Sequence, residues 1–347
     1  QPLIEIALTI GGLDGLQIQF VAALTQVTGQ PGSQLFTQQL LLHQLAQLDY
    51  LMSLNGAGVL PALQFRIGIA KIAGILGQQN RMIGAQAEIR FAGPVHQEAR
   101  DAARHIRDQG KQAPLVLIPR SSLGDRVANA FAQEWQKLGG GTVLQQKFGS
   151  TSELRAGVNG GSGIALTGSP ITLRATTDSG MTTNNPTLQT TPTDDQFTNN
   201  GGRVDAVYIV ATPGEIAFIK PMIAMRNGSQ SGATLYASSR SAQGTAGPDF
   251  RLEMEGLQYS EIPMLAGGNL PLMQQALSAV NNDYSLARMY AMGVDAWSLA
   301  NHFSQMRQVQ GFEINGNTGS LTANPDCVIN RKLSWLQYQQ GQVVPAS

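Results

Sequence analysis

The sequence predicts an α/β protein of two lobes, and three observations carry that prediction. First, residues 114–148 read as strand, turn, helix and strand in one short stretch. Second, β and α patterns alternate for most of the length after residue 98. Third, the chain has 347 residues, enough for two compact α/β lobes.

The 114–148 unit is the clearest. Residues 115–118 form a short apolar run, as expected of a parallel strand buried on both faces. Arg120, Ser121, Ser122, Leu123, Gly124 and Asp125 make a polar turn. Val127, Phe131, Trp135 and Leu138 then follow at helical spacing, with one buried face. Ser122 and Asp125 have the spacing of a capping box, which starts the helix there. Gly139, Gly140 and Gly141 end it, and 143–148 is the next strand. A helix joining two parallel strands forms a right-handed crossover. Ligands of open α/β sheets bind at the carboxyl ends of such strands, where Ser121 and Ser122 fall.

The other elements follow in chain order. Residues 4–10 read as a first strand, 16–25 and 36–54 as mixed helical patterns, and 67–76 as an apolar run with glycines. Residues 1–97 are rich in Gln and hold only about eight charged side chains, which reads as a further α/β half. Ala99, Ala102, Ala103 and Ile106 share one helical face in 98–110. Residues 204–210 form an apolar strand, followed by a helix marked by Ile216, Ile219 and Ile223. A strand at 234–237 ends at Ser238, Ser239 and Arg240, and 257–259 reads as another. Helices are expected at 271–280 and 284–306, the latter with Leu286, Tyr290, Val294 and Trp297 as its stripe. Residues 319–322 and 330–338 look extended, with turns at Asn324-Pro325-Asp326 and Gly341. Residues 156–203 break the pattern: a Gly/Ser/Thr/Asn/Pro segment with scattered apolar residues reads as a long flexible excursion.

These patterns divide the chain into a first lobe of 1–93 and 232–310 and a second of 94–231 and 311–347. The chain then crosses between lobes near 91–98, 228–234 and 308–319.

Composition excludes several classes. The formal net charge is zero, from 23 basic and 23 acidic side chains, and there is no basic patch for a nucleic acid. No apolar run reaches the roughly 18–20 residues a membrane span needs. The greasiest stretch, 40–54, is interrupted by His43, Gln44, Gln47 and Asp49. The sequence carries no signal peptide and no lipobox cysteine, as expected of a mature domain or of a piece cut from a longer protein. Its one cysteine, Cys327, has no partner for an internal disulfide and is expected as a partly buried free thiol.

Catalytic and metal patterns are sparse. There is no paired-histidine or paired-cysteine zinc motif, no P-loop and no nucleophile elbow, so no metal, cofactor or catalytic residue is expected. The glycines of 157–163 are not followed by a clear helix, against a phosphate cradle. His43, His96, His105 and His302 are scattered, and His105 lies one residue off its helix's apolar face, as a boundary residue. Glu253 and Glu255 read as a solvated edge, and Trp135, Trp297 and Trp335 as core or boundary residues. The candidate cleft is Arg120, Ser121, Ser122 and Asp125 after one strand, with Ser238, Ser239 and Arg240 after another. Helix capping and turn chemistry explain the same residues equally well.

The order of these pieces resembles a type I periplasmic binding protein fold: two Rossmann-like lobes joined by a three-crossing hinge. The resemblance rests on 98–110 as the first helix after the hinge, 114–126 as the next strand and turn, 204–213 with 219–221, and 319–331 as the terminal hairpin. From about residue 98 onward the chain is more specifically similar to the C-terminal domain of the outer-membrane lipoprotein activators of class A penicillin-binding proteins. The marks are Arg120-Ser-Ser-Leu-Gly-Asp-Arg126, the Thr/Asn/Gly-rich excursion and Leu333-Ser-Trp-Leu-Gln-Tyr338. Residues 1–97 echo that family only at 4–10 and at Phe91-Ala92; its anchor cysteine and helical-repeat domain are not in this chain. A family cysteine expected before the hinge is missing around Ile89, which removes the family disulfide to Cys327.

The resemblance implies a non-enzymatic periplasmic regulator, anchored to the outer membrane through a lipid absent from this chain. Its implied partner is a class A penicillin-binding protein, a peptidoglycan synthase whose transpeptidase activity it stimulates. The rival reading is a receptor that closes on a small solute between the lobes. A receptor for amino acids needs charges at both strand-end turns, and Arg120, Asp125 and Arg240 are the clear ones. An enzyme is the third reading.

Overall fold

The structure, a computed structural model, describes residues 3–10, 18–25, 63–68, 88–91, 94–173, 203–228, 232–323 and 328–346. Its strands are β1 Leu3–Ile10, β2 Ile18–Thr25, β3 Leu63–Gly68, β4 Glu88–Phe91, β5 Pro114–Pro119, β6 Leu144–Phe148, β7 Ser169–Pro170 and β8 Ala206–Ile209. They continue with β9 Thr234–Ala237, β10 Gln258–Glu261, β11 Glu313–Asn315, β12 Ser320–Ala323, β13 Val328–Lys332, β14 Ser334–Gln339 and β15 Gln342–Pro345. The α-helices are α1 Pro94–Asp108, α2 Ser122–Lys137, α3 Thr151–Asn159, α4 Pro213–Asn227, α5 Pro248–Glu253, α6 Leu270–Ala279, α7 Tyr284–Asn301 and α8 Phe303–Gln308.

Two sheets result. One runs β11-β12-β13-β4-β3-β1-β2, and its described pairs are antiparallel except β4 with β13. The other runs β15-β14-β10-β9-β8-β5-β6-β7. In it β6, β5, β8, β9 and β10 are mutually parallel neighbours, while β7, β14 and β15 add antiparallel edges. The α/β class stands, and the parallel, helix-wrapped character belongs to the second sheet.

That second sheet buries both faces. On one, α1 and α2 place Ala99, Ala103, Ile106, Phe131 and Trp135 against Val116, Tyr208 and Tyr236. On the other, α3 and α4 place Leu154, Ile216, Ile219 and Ile223 against Leu117, Val207 and Ile209. Alternate residues of β5 serve alternate cores, as a strand's two-residue period requires. A third core joins α6 and α7 through Leu272, Ala276, Ala287, Tyr290 and Ala291.

Strand pairing corrects the expected lobe boundaries. β9 and β10 lie in 232–310 but pair in the second sheet; β11, β12 and β13 lie in 311–347 yet complete the first. The reason is the β8–α4–β9 unit. A 15-residue helix returns the chain to lie parallel beside β8, with Ala206 opposite Thr234. β8 and β9 therefore belong to one sheet, and the expected crossing near 228–234 is not one. Among the described residues the chain passes between sheets from β4 to β5, from β10 to β11 and from β13 to β14. The last passage uses a single residue, Leu333.

Other expectations change locally. The helix of the 114–148 unit is capped by Ser121 and not Ser122, because the Ser121 hydroxyl accepts the Gly124 N–H at 3.3 Å. Residues 18–25 form a strand paired residue for residue with β1, where the sequence shows a mixed helical pattern over 16–25. The expected 284–306 helix breaks at His302, whose ψ of 18° is not helical. The expected 330–338 strand splits at Leu333 into two strands of different sheets.

The first part of the expected flexible excursion is built into the fold. α3 reaches Asn159; Ile164 and Leu166 then pack on one core, and Ile171 and Leu173 on the other. These apolar residues sit two apart, the signature of extended chain, and β7 between them pairs with β6. Residues 174–202 and Cys327 lie outside the described residues, as do the expectations attached to them.

Candidate functional site

The seven predicted cleft residues do fall at the carboxyl ends of β5 and β9, which flank β8 in the sheet. Neighbouring strands lie about 4.8 Å apart, so the two turns are about 10 Å from each other at the sheet edge. They behave differently.

After β5 the turn is exposed and answers to local structure. Ser121 caps α2, and the carbonyl of Ser122 accepts Arg126 Nε at 3.3 Å. Arg120 reaches Glu153 at 3.5 Å, and Asp125 pairs with Lys147 at 2.7 Å. Both pairs are open to solvent, where such contacts contribute little.

After β9 the turn is held in a buried polar network. The Glu98 carboxylate of α1 accepts the Ser239 N–H, the Ser239 hydroxyl at 3.0 Å and the Ser260 hydroxyl at 2.8 Å. From α7, Arg288 donates to the carbonyls of Ser239 at 3.1 Å and Ala242 at 2.6 Å. The same guanidinium grips Glu261 at 3.0 and 2.7 Å through two nitrogens. Burial alone would lower the Arg288 pKa, but the Glu261 charge and hydrogen bonds outweigh it and hold the guanidinium above its usual range. Ser238 is buried with its hydroxyl unpartnered, as is Arg240 Nε.

Two further carboxylates complete the frame. Asp295 of α7 accepts Asn317 N at 2.8 Å, Thr318 N at 2.7 Å and the Thr318 hydroxyl at 2.6 Å, which fixes the turn between β11 and β12. Burial raises its pKa against those bonds. Asp101 of α1 accepts Leu333 N at 3.1 Å and Trp335 Nε1 at 2.9 Å. His105 stacks on Trp335 at 4.1 Å and meets Gln258 at 2.8 Å; burial lowers its pKa. It is thus a boundary residue tied into the second sheet.

Chemically, the arrangement positions the backbone of the turn after β9. The Glu98 carboxylate that accepts the Ser239 hydroxyl also accepts the Ser239 amide and the Ser260 hydroxyl. Among the described residues no three His, Cys, Asp or Glu side chains are grouped to hold a metal. No described helix is long and apolar enough to cross a membrane. Sequence reasoning missed Glu98, Ser260, Glu261 and Arg288. The one available signal was Arg288 and Asp295, seven apart and so on one face of a long helix.

A two-sheet α/β scaffold with its strand ends tied internally defines the class of protein. The sequence matches the family described as "LppC putative lipoprotein" over residues 75–341, and the chain belongs to that family. The match begins upstream of residue 98, where the family resemblance of the sequence had been placed. The penicillin-binding protein activator LpoA of Escherichia coli (strain K12) is 97% identical over 257 residues, 74% of this chain and 38% of that protein. The activator of the same name from Klebsiella pneumoniae is 71% identical over 257 residues, 74% of this chain and 36% of that protein. The chain thus spans under two-fifths of the length of these curated relatives. Among solved structures, the LpoA (YraM) C-domain from Haemophilus influenzae, described as a regulator of PBP1A, superposes with a TM-score of 0.53. It is 31% identical, and the match covers 73% of this chain and 67% of that one.

Proposed function

We propose that this chain is the synthase-regulating part of a lipoprotein anchored to the outer membrane and facing the periplasm. It binds a class A penicillin-binding protein and stimulates its transpeptidase activity without catalysing a reaction itself. The observation that carries this reading is the 97% identity over 257 residues to a penicillin-binding protein activator. At that identity the folded surface is nearly unchanged, so a partner of the relative finds the same surface here. The description of the Haemophilus C-domain as a regulator of PBP1A supports the same reading from a second relative.

The candidate cleft then divides by role. Arg120, Ser121, Ser122 and Asp125 are exposed and within reach of a partner, whereas Ser238, Ser239 and Arg240 hold the turn after β9. The test adds the purified chain to a purified class A synthase and measures binding and peptide cross-linking. Saturable binding with increased cross-linking is the expected outcome. No binding at micromolar concentrations, or binding with unchanged cross-linking, overturns the reading. Replacing Ser121, Ser122, Ser238 and Ser239 by Ala is expected to leave most of the stimulation in place.

A further inference from the structure

The passage from β13 to β14 is a single residue, and one buried carboxylate holds it. Leu333 donates its N–H to Asp101 Oδ1 at 3.1 Å, and Trp335 donates its indole N–H to Oδ2 at 2.9 Å. Asp101 is 3% exposed and sits on α1, the helix that follows the first passage between the sheets. Two of the three described passages therefore meet at this side chain.

We propose that Asp101 is a proton-operated pin on this passage. Ionised, it holds the Leu333 amide and the Trp335 indole together; protonated, it holds one of them more weakly and loosens the β13–β14 link.

The chemistry follows from acceptor count. An ionised carboxylate accepts on both oxygens, whereas a protonated one presents an O–H on one of them, directed at an N–H that also donates. The protonated oxygen is left a poorer acceptor, so the bond to it weakens. The charged groups around Asp101 come from several elements. On α1 these are Glu98 and Arg104, the latter 4.0 Å from Oδ1 but engaged at 3.1 Å by Glu134 of α2. Arg331 of β13 and Tyr208 of β8 also feel its charge, and His105, which feels Lys332, stacks on the Trp335 ring. Burial raises the Asp101 carboxyl to about 6; the Trp335 and Leu333 hydrogen bonds and Arg104 lower it in part, and Glu98 raises it further.

The sign separates two effects. The folded value lies above the roughly 3.9 of an unfolded aspartate, so the native state takes up a proton between the two. Its contribution to stability is complete below about 4 and is lost as pH rises through about 6. Acidification therefore increases the contribution of Asp101 to stability while loosening one local bond, opposite to what a merely structural hydrogen bond does.

The test is proton–nitrogen NMR of the intact chain from pH 7.5 to 5, following the Leu333 amide and the Trp335 indole. Both signals are expected to titrate with one shared midpoint near 6. Protection of Leu333 from hydrogen exchange, corrected for the intrinsic pH dependence, is expected to fall about tenfold, as for one hydrogen bond to a charged group. Asp101→Asn should abolish the titration, and His105→Gln should leave it. Signals that stay flat, a titration that survives Asp101→Asn, or one that vanishes in His105→Gln would each overturn the proposal. If Asp101→Asn does not fold, the wild-type and His105→Gln titrations still decide.

Discussion

Replacing Arg288 by Met tests whether the turn after β9 depends on α7. The guanidinium makes four hydrogen bonds, two to Glu261 and two to the carbonyls of Ser239 and Ala242. Glu261 is 2% exposed and, among the described residues, keeps only the Ile262 N–H, at 2.9 Å, once Arg288 is gone. Removing one member of a buried pair strands the other charge, at a cost of about 3–5 kcal/mol. For a folding unit of this size that is a Tm lower by roughly 6–20 °C. A urea melt followed by tryptophan fluorescence reads the loss as a lower midpoint at unchanged slope. The double variant Arg288→Met with Glu261→Gln removes both charges and is expected to recover more than half of it. A single-variant loss below about 1 kcal/mol would place the pair among those that contribute little, and the double variant falling below Arg288→Met would refute the stranded-charge argument.

Three further outcomes follow from local geometry. Gly124→Ala places a methyl 2.2 Å from the Pro119 carbonyl oxygen, so the β5–α2 turn must open, and a destabilisation of about 1–3 kcal/mol is expected in chemical denaturation. Thr212→Ala removes a capping box in which Thr212 and Glu215 each satisfy the other's backbone N–H, and should cost about 1 kcal/mol in the same assay. Phe131→Ala empties the space between Trp135 and Tyr208, whose rings lie 6.0 and 5.5 Å from it, and should cost about 3–5 kcal/mol; a loss under 1 kcal/mol would mean that this face of the sheet is not close-packed.

What was legible in the sequence is what completes itself locally. The β5–α2–β6 unit could be read because its strand, capping turn, apolar stripe and glycine stop all lie within 35 residues. Even there the cap moved by one position, since Ser121 and Ser122 offer the same hydroxyl and only backbone geometry chooses between them. Ala99, Ala102, Ala103 and Ile106 were placed on a buried face, and all four are fully buried. Sheet membership was less legible. A crossing between lobes is expected near 228–234, yet β8 and β9 pair in parallel within one sheet. The real passage at Leu333 has no composition signal at all, because one residue needs no special chemistry to change sheets. In the candidate site, strand ends marked Ser238, Ser239 and Arg240, but their partners did not announce themselves. Glu98 lies 141 residues from Ser239 and Arg288 lies 49 away, and no spacing rule spans such distances.

The polar network explains why a fold with an open parallel-sheet edge presents its second strand-end turn as structure. The carboxyl end of a parallel sheet collects N–H groups and side chains that a bound ligand ordinarily satisfies. After β9 several of those groups are taken by the protein itself, although the Ser238 hydroxyl and Arg240 Nε are not: Glu98 covers the Ser239 amide and two hydroxyls, and Arg288 covers two carbonyls. A solute competing for the Ser239 amide would have to displace a carboxylate already within the chain, at the high local concentration that intramolecular attachment gives. The turn after β5 carries no such internal ligand, and its charges are paired only loosely at the surface. A substitution at Arg120 or Asp125 changes the exposed face without unpairing a buried charge, whereas one at Arg288 strands Glu261.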